Sequence, residues 1–311
     1  MDTVAVLMQE PERLGLSRLE LTEPGEADVV VDVAWSGIST GTERLLWSGR
    51  MPPFPGMGYP LVPGYASVGR IAAAGPASGR SVGETVFVPG STGFRTARGL
   101  FGGAAARLVA AGSRVVPIDA GLGDLGVLMA LAATAHHAFP LDGPQPELIV
   151  GHGVLGRLMA RLAVAAGAAP VVWETNPARR GGADGYAVRD PAEDARKDYR
   201  VIADVSGDAG VIDTLVARLA PGGEIVLAGF YSDRLSFAFP PAFMREARLR
   251  IAAEWKPADL AGVSALIAAR RLSLDGLITH RAPARDAESA YRTAFTDPAC
   301  LKMVLDWREV Q

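Results

Sequence analysis

The feature that most constrains the fold of this chain is a glycine-rich turn that directly follows a short apolar run. Residues 148–156 read Leu-Ile-Val-Gly-His-Gly-Val-Leu-Gly, which is typical of a strand, a tight turn and the start of a helix. The first glycine permits the turn, the second lets the backbone approach a pyrophosphate, and the third allows close helix–strand packing. The helix N-terminus also favours an anion. The alternative is a turn that binds no ligand. The residues predicted to bind a dinucleotide here are Gly151, Gly153, Val154, Leu155 and Gly156.

An acidic residue at the end of the next predicted strand indicates which dinucleotide binds. The run 170–173 ends at Glu174, about 20 residues beyond the glycines, where an acid binds the ribose hydroxyls. The same acid disfavours a 2′-phosphate, so the sequence favours NAD over NADP. Arg179 and Arg180 follow closely and leave open the alternative that they hold a 2′-phosphate. Arg179 is included among the predicted coenzyme residues.

Predicted strands and helices alternate between about residues 121 and 253, which indicates a parallel sheet covered by helices on both faces. Ligands of such sheets bind at the carboxyl ends of the strands. Ser206, Gly229 and Phe230 follow two of these strands, and we expect them to lie along the nicotinamide half of the coenzyme. The first third of the chain has short apolar runs separated by Gly and Pro, which is typical of a small barrel. A helix is predicted over 125–139.

Charge and cysteine content bound the class of protein. The formal net charge is −3, which provides no basic surface for a nucleic acid. Cys300 is the only cysteine, so an intramolecular disulfide is impossible and a reducing compartment fits. His152, Arg157 and Arg161 interrupt the longest apolar stretch, and the first residues lack the pattern of a signal peptide. We expect a soluble, cytoplasmic protein without a transmembrane segment.

The whole arrangement resembles the medium-chain dehydrogenase/reductase superfamily, and the phrase Leu-Ile-Thr-His at 277–280 adds to the likeness. The resemblance implies an α/β protein with a Rossmann doubly wound parallel sheet in residues 118–257. It also implies a GroES-like β-rich barrel domain, formed by residues 1–117 and 258–311, that carries the substrate and the catalytic groups. Members often pair through a sheet edge, so the strand predicted over 248–253 suggests a homodimer.

Two phrases differ from those of the zinc-binding members of that superfamily, which place a Cys in G-x-C-G-T-D and a His in P-G-H-E. Here residues 37–43 read Gly-Ile-Ser-Thr-Gly-Thr-Glu and residues 63–66 read Pro-Gly-Tyr-Ala. Ser or Thr replaces the Cys, Tyr65 replaces the His, and Ala66 replaces the Glu. Neutral hydroxyls are poor zinc ligands, so the sequence predicts no metal.

Without a metal, a side chain or a bound water must accept the proton of an alcohol while NAD accepts the hydride. The resemblance places Tyr65 and Thr42 at the reacting centre, and Glu43 lies next to Thr42. His137, which follows His136 on a predicted helix, is suited to relay a proton near neutral pH. The predicted catalytic residues are therefore Tyr65, Thr42, Glu43 and His137, and each of them has a purely structural role as its alternative.

Longer phrases resemble a narrower family, namely residues 36–43, 51–65, 99–104, 173–180 and 235–244. They are similar to the dehydrogenases that act on 3-hydroxyethyl bacteriochlorophyllide a in bacteriochlorophyll biosynthesis. The resemblance implies oxidation of the 3-(1-hydroxyethyl) group of a bacteriochlorophyllide or chlorophyllide to 3-acetyl. The same resemblance suggests that the protein contacts the photosynthetic membrane. A flat tetrapyrrole needs a wide apolar mouth. The aromatic residues predicted to line it are Trp35, Trp47, Phe54, Tyr59 and Phe101.

Two other functions remain open at this point. One is a zinc-free quinone or enoyl reductase that uses NADPH, against which Glu174 argues. The other is a protein that binds NAD(H) without turning over a substrate.

Overall fold

The structure, a computed structural model, describes residues 1–53 and 55–310. Its strands in chain order are β1 (Asp2–Glu10), β2 (Arg13–Glu20), β3 (Asp28–Ile38), β4 (Leu61–Val62), β5 (Ser67–Ala74), β6 (Thr85–Val88), β7 (Arg98–Gly99), β8 (Arg107–Ala111), β9 (Val116–Pro117), β10 (Leu148–Val150), β11 (Val171–Trp173), β12 (Ala187–Arg189), β13 (Tyr199–Asp204), β14 (Leu219–Leu227), β15 (Arg248–Ile251), β16 (His280–Pro283) and β17 (Met303–Asp306). Its α-helices are α1 (Thr42–Trp47), α2 (Met129–Ala138), α3 (Val154–Ala165), α4 (Ile212–Arg218), α5 (Phe239–Met244), α6 (Pro257–Ala268) and α7 (Ala287–Thr296).

One compact unit spans Leu131–Gly276 and is built on a parallel sheet. The strand order is β12-β11-β10-β13-β14-β15, and every neighbouring pair is parallel. Strand β10 is fully buried, as expected for a parallel strand that is covered on both faces. The α/β class predicted from the alternating pattern is confirmed.

The sheet reverses its order at β10, which has β11 on one side and β13 on the other. A crevice opens at the carboxyl ends of the strands at such a point, and ligands of open α/β sheets bind there. The glycine turn leaves β10 at this edge, so the fold places the predicted dinucleotide residues at the position that suits them.

The other compact unit comprises Met1–Ala130 and the chain from Leu277 onward. It contains a small sheet, β2-β1-β4-β7, and a larger one, β16-β17-β3-β5-β6-β9, in which β8 also pairs with β3. These two sheets form the barrel-like domain that the sequence predicts for the first third of the chain. Strand β17 runs antiparallel to β3 and pairs Met303 with Ile38, which brings residue 302 to the end of β3.

The segment predicted as one helix over 125–139 consists of two parts. Residues Ala120–Leu128 form a 3-10 helix in which Gly123 has a φ of 53°, and α2 begins only at Met129. Three glycines lie between residues 121 and 126, and glycine disfavours the α conformation because it loses the most backbone freedom on folding.

No helix within residues 1–53 and 55–310 is long and apolar enough to span a membrane. The domain boundaries given above stay a prediction, because compactness alone does not show which segments bind the substrate.

Candidate active site

The glycine turn has the backbone geometry that its sequence requires. Gly151 has a φ of 105°, a conformation that favours glycine. A Cβ at Gly156 would lie 1.9 Å from the carbonyl oxygen of Gly151, whereas a Cβ at Gly153 would meet no atom within 4 Å. Gly153 is the N-cap residue of α3 and makes no side-chain cap, so no side chain of this residue covers the N-terminus of that helix. This is a cradle that fits the pyrophosphate of a dinucleotide.

Glu174 is held against this turn by two main-chain amides. Its carboxylate accepts hydrogen bonds from the N–H of His152 at 3.1 Å and from the N–H of Asn176 at 2.8 Å. The acid is nearly buried, with 9% of its surface exposed. The structure therefore brings Glu174 to the glycine turn, where the ribose-binding acid of a dinucleotide site belongs.

The two arginines that follow have different surroundings. The Arg180 guanidinium donates to the carbonyl oxygens of Glu174 and Thr175 and forms an ion pair with Asp190. The carbonyl oxygen of Arg179 accepts hydrogen bonds from His152 and Arg157. Arg180 is thus engaged by groups of its own loop.

The predicted nicotinamide residues lie together around Asp204 at the ends of β13 and β14. The Asp204 carboxylate accepts from the N–H of Ser206 at 2.9 Å and from the Tyr231 hydroxyl at 2.8 Å, and its pKa is raised by burial. A Cβ at Gly229 would lie 3.4 Å from the Tyr231 hydroxyl, and Phe230 keeps 45% of its surface exposed.

In the other unit, three hydroxyl groups meet at the start of α1. The Tyr65 hydroxyl donates to Ser39 Oγ at 2.9 Å, and the same oxygen accepts from the N–H of Thr42 at 3.3 Å. Burial raises the pKa of Tyr65, and hydrogen bonds from Ser39 and Thr42 oppose that effect. Two of the predicted catalytic residues, Tyr65 and Thr42, are therefore neighbours, and Ser39 joins them.

Glu43 lies beneath this hydroxyl cluster and is fully buried. Its carboxylate accepts from the N–H of Ser39 at 2.9 Å and from the Tyr291 hydroxyl at 2.7 Å. Burial raises the pKa of Glu43 from 4.5 to about 7, against the lowering effects of Tyr291, Lys302 and Ser39. A carboxyl group with such a pKa takes up and releases a proton near neutral pH.

Lys302 provides a buried amine in the same region. It has 1% of its surface exposed, and its Nζ has no hydrogen-bond partner among the described residues. Burial lowers its pKa from 10.5 to about 8, and the charge of Glu43 opposes this. A Cβ at Gly37 would lie 2.6 Å from Cε and 3.0 Å from Nζ of Lys302, so a side chain there would displace the end of the Lys302 side chain.

His137 belongs to the unit that carries the glycine turn, and it has a well-defined partner there. Its Nδ1 lies 2.9 Å from one carboxylate oxygen of Asp259, and Nδ1 of His136 lies 2.9 Å from the other. These contacts join α2 to the first turn of α6. The catalytic role of His137 stays a prediction.

The aromatic residues predicted to line a substrate cleft have separate surroundings. Phe101 packs edge-on against Tyr65, with 5.6 Å between ring centroids. Trp47 packs against Phe295, the Tyr59 hydroxyl donates to the carbonyl oxygen of Leu46, and Trp35 lies under the Arg308 guanidinium. Phe54 lies outside the described residues. The structure thus brings Phe101 to a catalytic candidate, while the substrate roles of the others stay predictions.

Several residues of these two sites were not predicted from the sequence. Tyr291 and Lys302 lie more than 240 positions beyond Glu43, and the only local signal was a lysine inside the apolar run 301–305. Within residues 1–53 and 55–310, no group of three or more His, Cys, Asp or Glu side chains is arranged to hold a metal ion.

Comparison with known proteins adds to this geometry. The alcohol dehydrogenase GroES-like domain matches residues 25–120. The fold is similar to a solved alcohol dehydrogenase of Escherichia coli CFT073 complexed with NADH, with a TM-score of 0.83 at 20% identity over 98% of this chain and 99% of that chain.

Two curated relatives match along the whole sequence. The chain is 59% identical to the 2-desacetyl-2-hydroxyethyl bacteriochlorophyllide A dehydrogenase of Rhodobacter capsulatus, over 100% of both chains. It is 58% identical to the protein of the same name in Cereibacter sphaeroides, over 99% of both. The resemblance drawn from the sequence phrases is confirmed. The chain belongs to the family of the 2-desacetyl-2-hydroxyethyl bacteriochlorophyllide A dehydrogenases, within the medium-chain dehydrogenase/reductase superfamily.

Proposed function

We propose that this protein oxidises the hydroxyethyl side group of bacteriochlorophyllide a, or of chlorophyllide a, to an acetyl group with NAD⁺ as hydride acceptor. The observation that carries the proposal is the identity of 59% over the full length of a relative whose name states this substrate. The name and the 3-(1-hydroxyethyl) group given above denote the same side group under two conventions for numbering the macrocycle. A bound NAD⁺ supplies the chemistry of hydride acceptance.

The coenzyme preference is supported by the surroundings of Glu174. A carboxylate at this position hydrogen-bonds the ribose hydroxyls of NAD and repels a 2′-phosphate. Arg180, one of the two candidate cations for a 2′-phosphate, is paired with Asp190 and with carbonyl oxygens of its own loop. These contacts favour NAD over NADP.

The hydroxyl cluster is the group that we assign to the alcohol. Ser39, Thr42 and Tyr65 present hydroxyls that bind an alcohol oxygen by hydrogen bonds, and Phe101 beside Tyr65 offers an apolar wall. Glu43, with a pKa raised to about 7, is the acid of this cluster suited to accept the proton that the alcohol loses. Neutral hydroxyls that are bonded to one another are poor metal ligands, so we propose catalysis without zinc.

The test is a reaction of the purified protein with 3-hydroxyethyl bacteriochlorophyllide a and NAD⁺, followed by the absorbance of NADH and of the pigment. We expect NADH and the acetyl pigment to form in equal amounts, with little rate from NADP⁺ and no effect of a chelator. Tyr65→Phe, which keeps the ring and removes the hydroxyl, should lose turnover while it still binds NADH. Tight NADH binding without turnover would contradict the substrate assignment, and loss of activity with the chelator would contradict the zinc-free mechanism.

The protein is also proposed to form a homodimer through β15 and α5. Among the described residues, β15 pairs only with β14, so its other edge is free. The large apolar side chains exposed on these two elements and next to them are Phe237, Phe239, Phe243, Met244, Leu249 and Ile251. An unpaired edge with exposed apolar side chains is a surface that a second strand covers. A monomer in solution that binds vesicles of photosynthetic lipids would instead assign this surface to the membrane.

A further inference from the structure

Two buried side chains and a half-buried tyrosine join the glycine turn to the loop that follows β11. Residue 152, the variable position between the first two glycines, is a histidine with no exposed surface. Its Nδ1 lies 2.6 Å from the carbonyl oxygen of Arg179, and its Nε2 lies 2.9 Å from the Tyr186 hydroxyl. The imidazole and the Tyr186 ring also pack edge to face, with 5.6 Å between centroids.

The protonation state of His152 follows from these partners. A carbonyl oxygen only accepts hydrogen bonds, so Nδ1 carries the proton and donates to Arg179, and Nε2 accepts from the Tyr186 hydroxyl. Burial lowers the pKa of His152 to about 4, and the nearby charge of Arg157 acts in the same direction. The ring is therefore neutral at physiological pH, with both nitrogens engaged.

Arg157 reinforces the same connection from the first turn of α3. Its guanidinium donates to the carbonyl oxygens of His152 at 3.1 Å, Arg179 at 2.8 Å and Gly182 at 3.5 Å, and only 5% of the residue is exposed. Gly182 has a φ of 79°, and a Cβ there would lie 2.7 Å from Nη1 of Arg157. The loop thus has a glycine where the guanidinium approaches its backbone.

His152 also determines where the ribose-binding acid lies. Its own main-chain N–H donates to Glu174, while its ring holds the main chain of Arg179, five positions farther along the loop. One residue therefore fixes both the acid and the segment that carries the two arginines. These contacts hold the main chain of the loop in one arrangement beside Glu174.

We propose that His152, Arg157 and Tyr186 form a loop clamp, a set of positioning residues that holds Glu174 and the 175–186 loop in the arrangement that selects NAD over NADP. This inference rests on the proposed function, because it concerns the same coenzyme site. It adds residues that do not touch the coenzyme ribose themselves but determine how the loop around it is held.

The test uses equilibrium binding of NADH and of NADPH, measured by the fluorescence of the reduced nicotinamide, with the Tyr186→Phe and His152→Asn variants. Tyr186→Phe removes one hydroxyl from the clamp and keeps the ring. Loss of a hydrogen bond of ordinary strength corresponds to a change of about two- to tenfold in an equilibrium constant. We expect the Kd of NADH to rise by about that factor, the preference for NADH over NADPH to fall by a similar factor, and both effects to be larger in His152→Asn.

Tyr199→Phe is the matched control in the same unit. Its hydroxyl donates to Asp194 at 2.6 Å and is buried at the start of β13, the opposite end of that strand from Asp204. This variant should lose stability without a change in coenzyme preference. Clamp variants that lose stability like Tyr199→Phe but keep the wild-type ratio of NADPH to NADH dissociation constants would overturn the proposal. Wild-type protein that binds neither coenzyme would instead overturn the proposed function, and the clamp with it.

Discussion

Replacement of Glu43 by glutamine removes a buried charge and leaves a side chain of nearly the same size. The carboxylate accepts hydrogen bonds from the N–H of Ser39 and from the Tyr291 hydroxyl. A glutamine at this position accepts from Ser39 through its carbonyl oxygen and donates through its amide to the Tyr291 oxygen. The substitution therefore changes the charge of the cluster much more than its packing.

The contribution of Glu43 to the free energy of unfolding changes with pH, and its raised pKa determines the direction of that change. Burial raises the pKa of Glu43 from 4.5 to about 7, so between these values the folded protein holds a proton that the unfolded chain has released. Stability falls as pH rises wherever the folded state binds more protons. The difference between the two pKa values corresponds to about 3 kcal/mol of unfolding free energy, most of which is lost between about pH 5 and about pH 8. Glutamine does not titrate, so Glu43→Gln removes this loss.

Lys302 also makes Glu43→Gln more stable relative to the wild type as pH rises. The charge of Glu43 raises the pKa of Lys302 against the effect of burial, so the variant releases the Lys302 proton at lower pH. The folded variant then binds fewer protons than its unfolded chain at about pH 8, which adds to its stability there.

The measurement is the unfolding free energy of the unit that contains Glu43, at about pH 5 and about pH 8, for the wild type and for Glu43→Gln. Urea-dependent hydrogen exchange of the amides in β3 and β17 reports on this unit alone. We expect the variant to gain about 2 to 3 kcal/mol relative to the wild type between these pH values. Glu288→Gln on α7 is the control, since the Glu288 side chain is 68% exposed and its replacement should have no such dependence. A wild-type-to-variant difference that is constant with pH would refute the assignment of a raised pKa to Glu43.

Three further substitutions test separate parts of the proposed function. Tyr65→Phe should lower kcat for the hydroxyethyl pigment by a factor on the order of 10² to 10⁴, with NADH binding unchanged; an unchanged kcat would exclude the Tyr65 hydroxyl from catalysis. Glu174→Ala should raise KM for NAD⁺ and lower the ratio of kcat/KM for NAD⁺ to kcat/KM for NADP⁺ by about tenfold or more. The acid attracts the ribose hydroxyls of NAD and repels a 2′-phosphate, and the substitution removes both effects. A constant ratio would show that another group sets the preference. Ile251→Asp places a charge on a strand edge with 75% exposure and should convert a dimer into a monomer in sedimentation velocity, whereas Val82→Asp, at an exposed site of the other unit, should not.

The parts of the molecule that could be predicted from sequence are those whose signal is local. The glycine turn, the strand before it and Glu174 lie within 27 consecutive residues, and each step follows from the backbone needs of a βαβ unit. The alternation of apolar runs with helical patterns was enough to indicate the parallel sheet. The predicted helix over 125–139 includes the last four residues of the 3-10 segment because the run as a whole is rich in Ala and Leu, whereas the glycines of the segment decide its geometry.

The chemistry of the other unit was not accessible in the same way, since its partners are far apart in the chain. Tyr291 reaches Glu43 across 248 positions, and Lys302 reaches the same region because β17 pairs with the end of β3. A carboxyl group next to a threonine gives no sign of its burial, and burial is what raises its pKa. The sequence could name Glu43 as a candidate but not the environment that makes it suitable.

We propose that Glu43 and Lys302, whose charges influence each other, handle the proton in a site that has hydroxyls in place of metal ligands. A metal would stabilise an alkoxide by its positive charge, and nothing in the hydroxyl cluster itself carries such a charge. The buried amine of Lys302 and the buried acid of Glu43 have pKa values of about 8 and about 7, so the two together gain or lose a proton near neutral pH at small cost. Oxidation of an alcohol releases one proton for each hydride transferred. In this proposal a buried acid with a pKa of about 7, near an amine of opposite charge, provides a place for that proton without a metal ion. Glu43 accepts a hydrogen bond from the N–H of Ser39, so this place lies directly behind the hydroxyls that we assign to the alcohol oxygen.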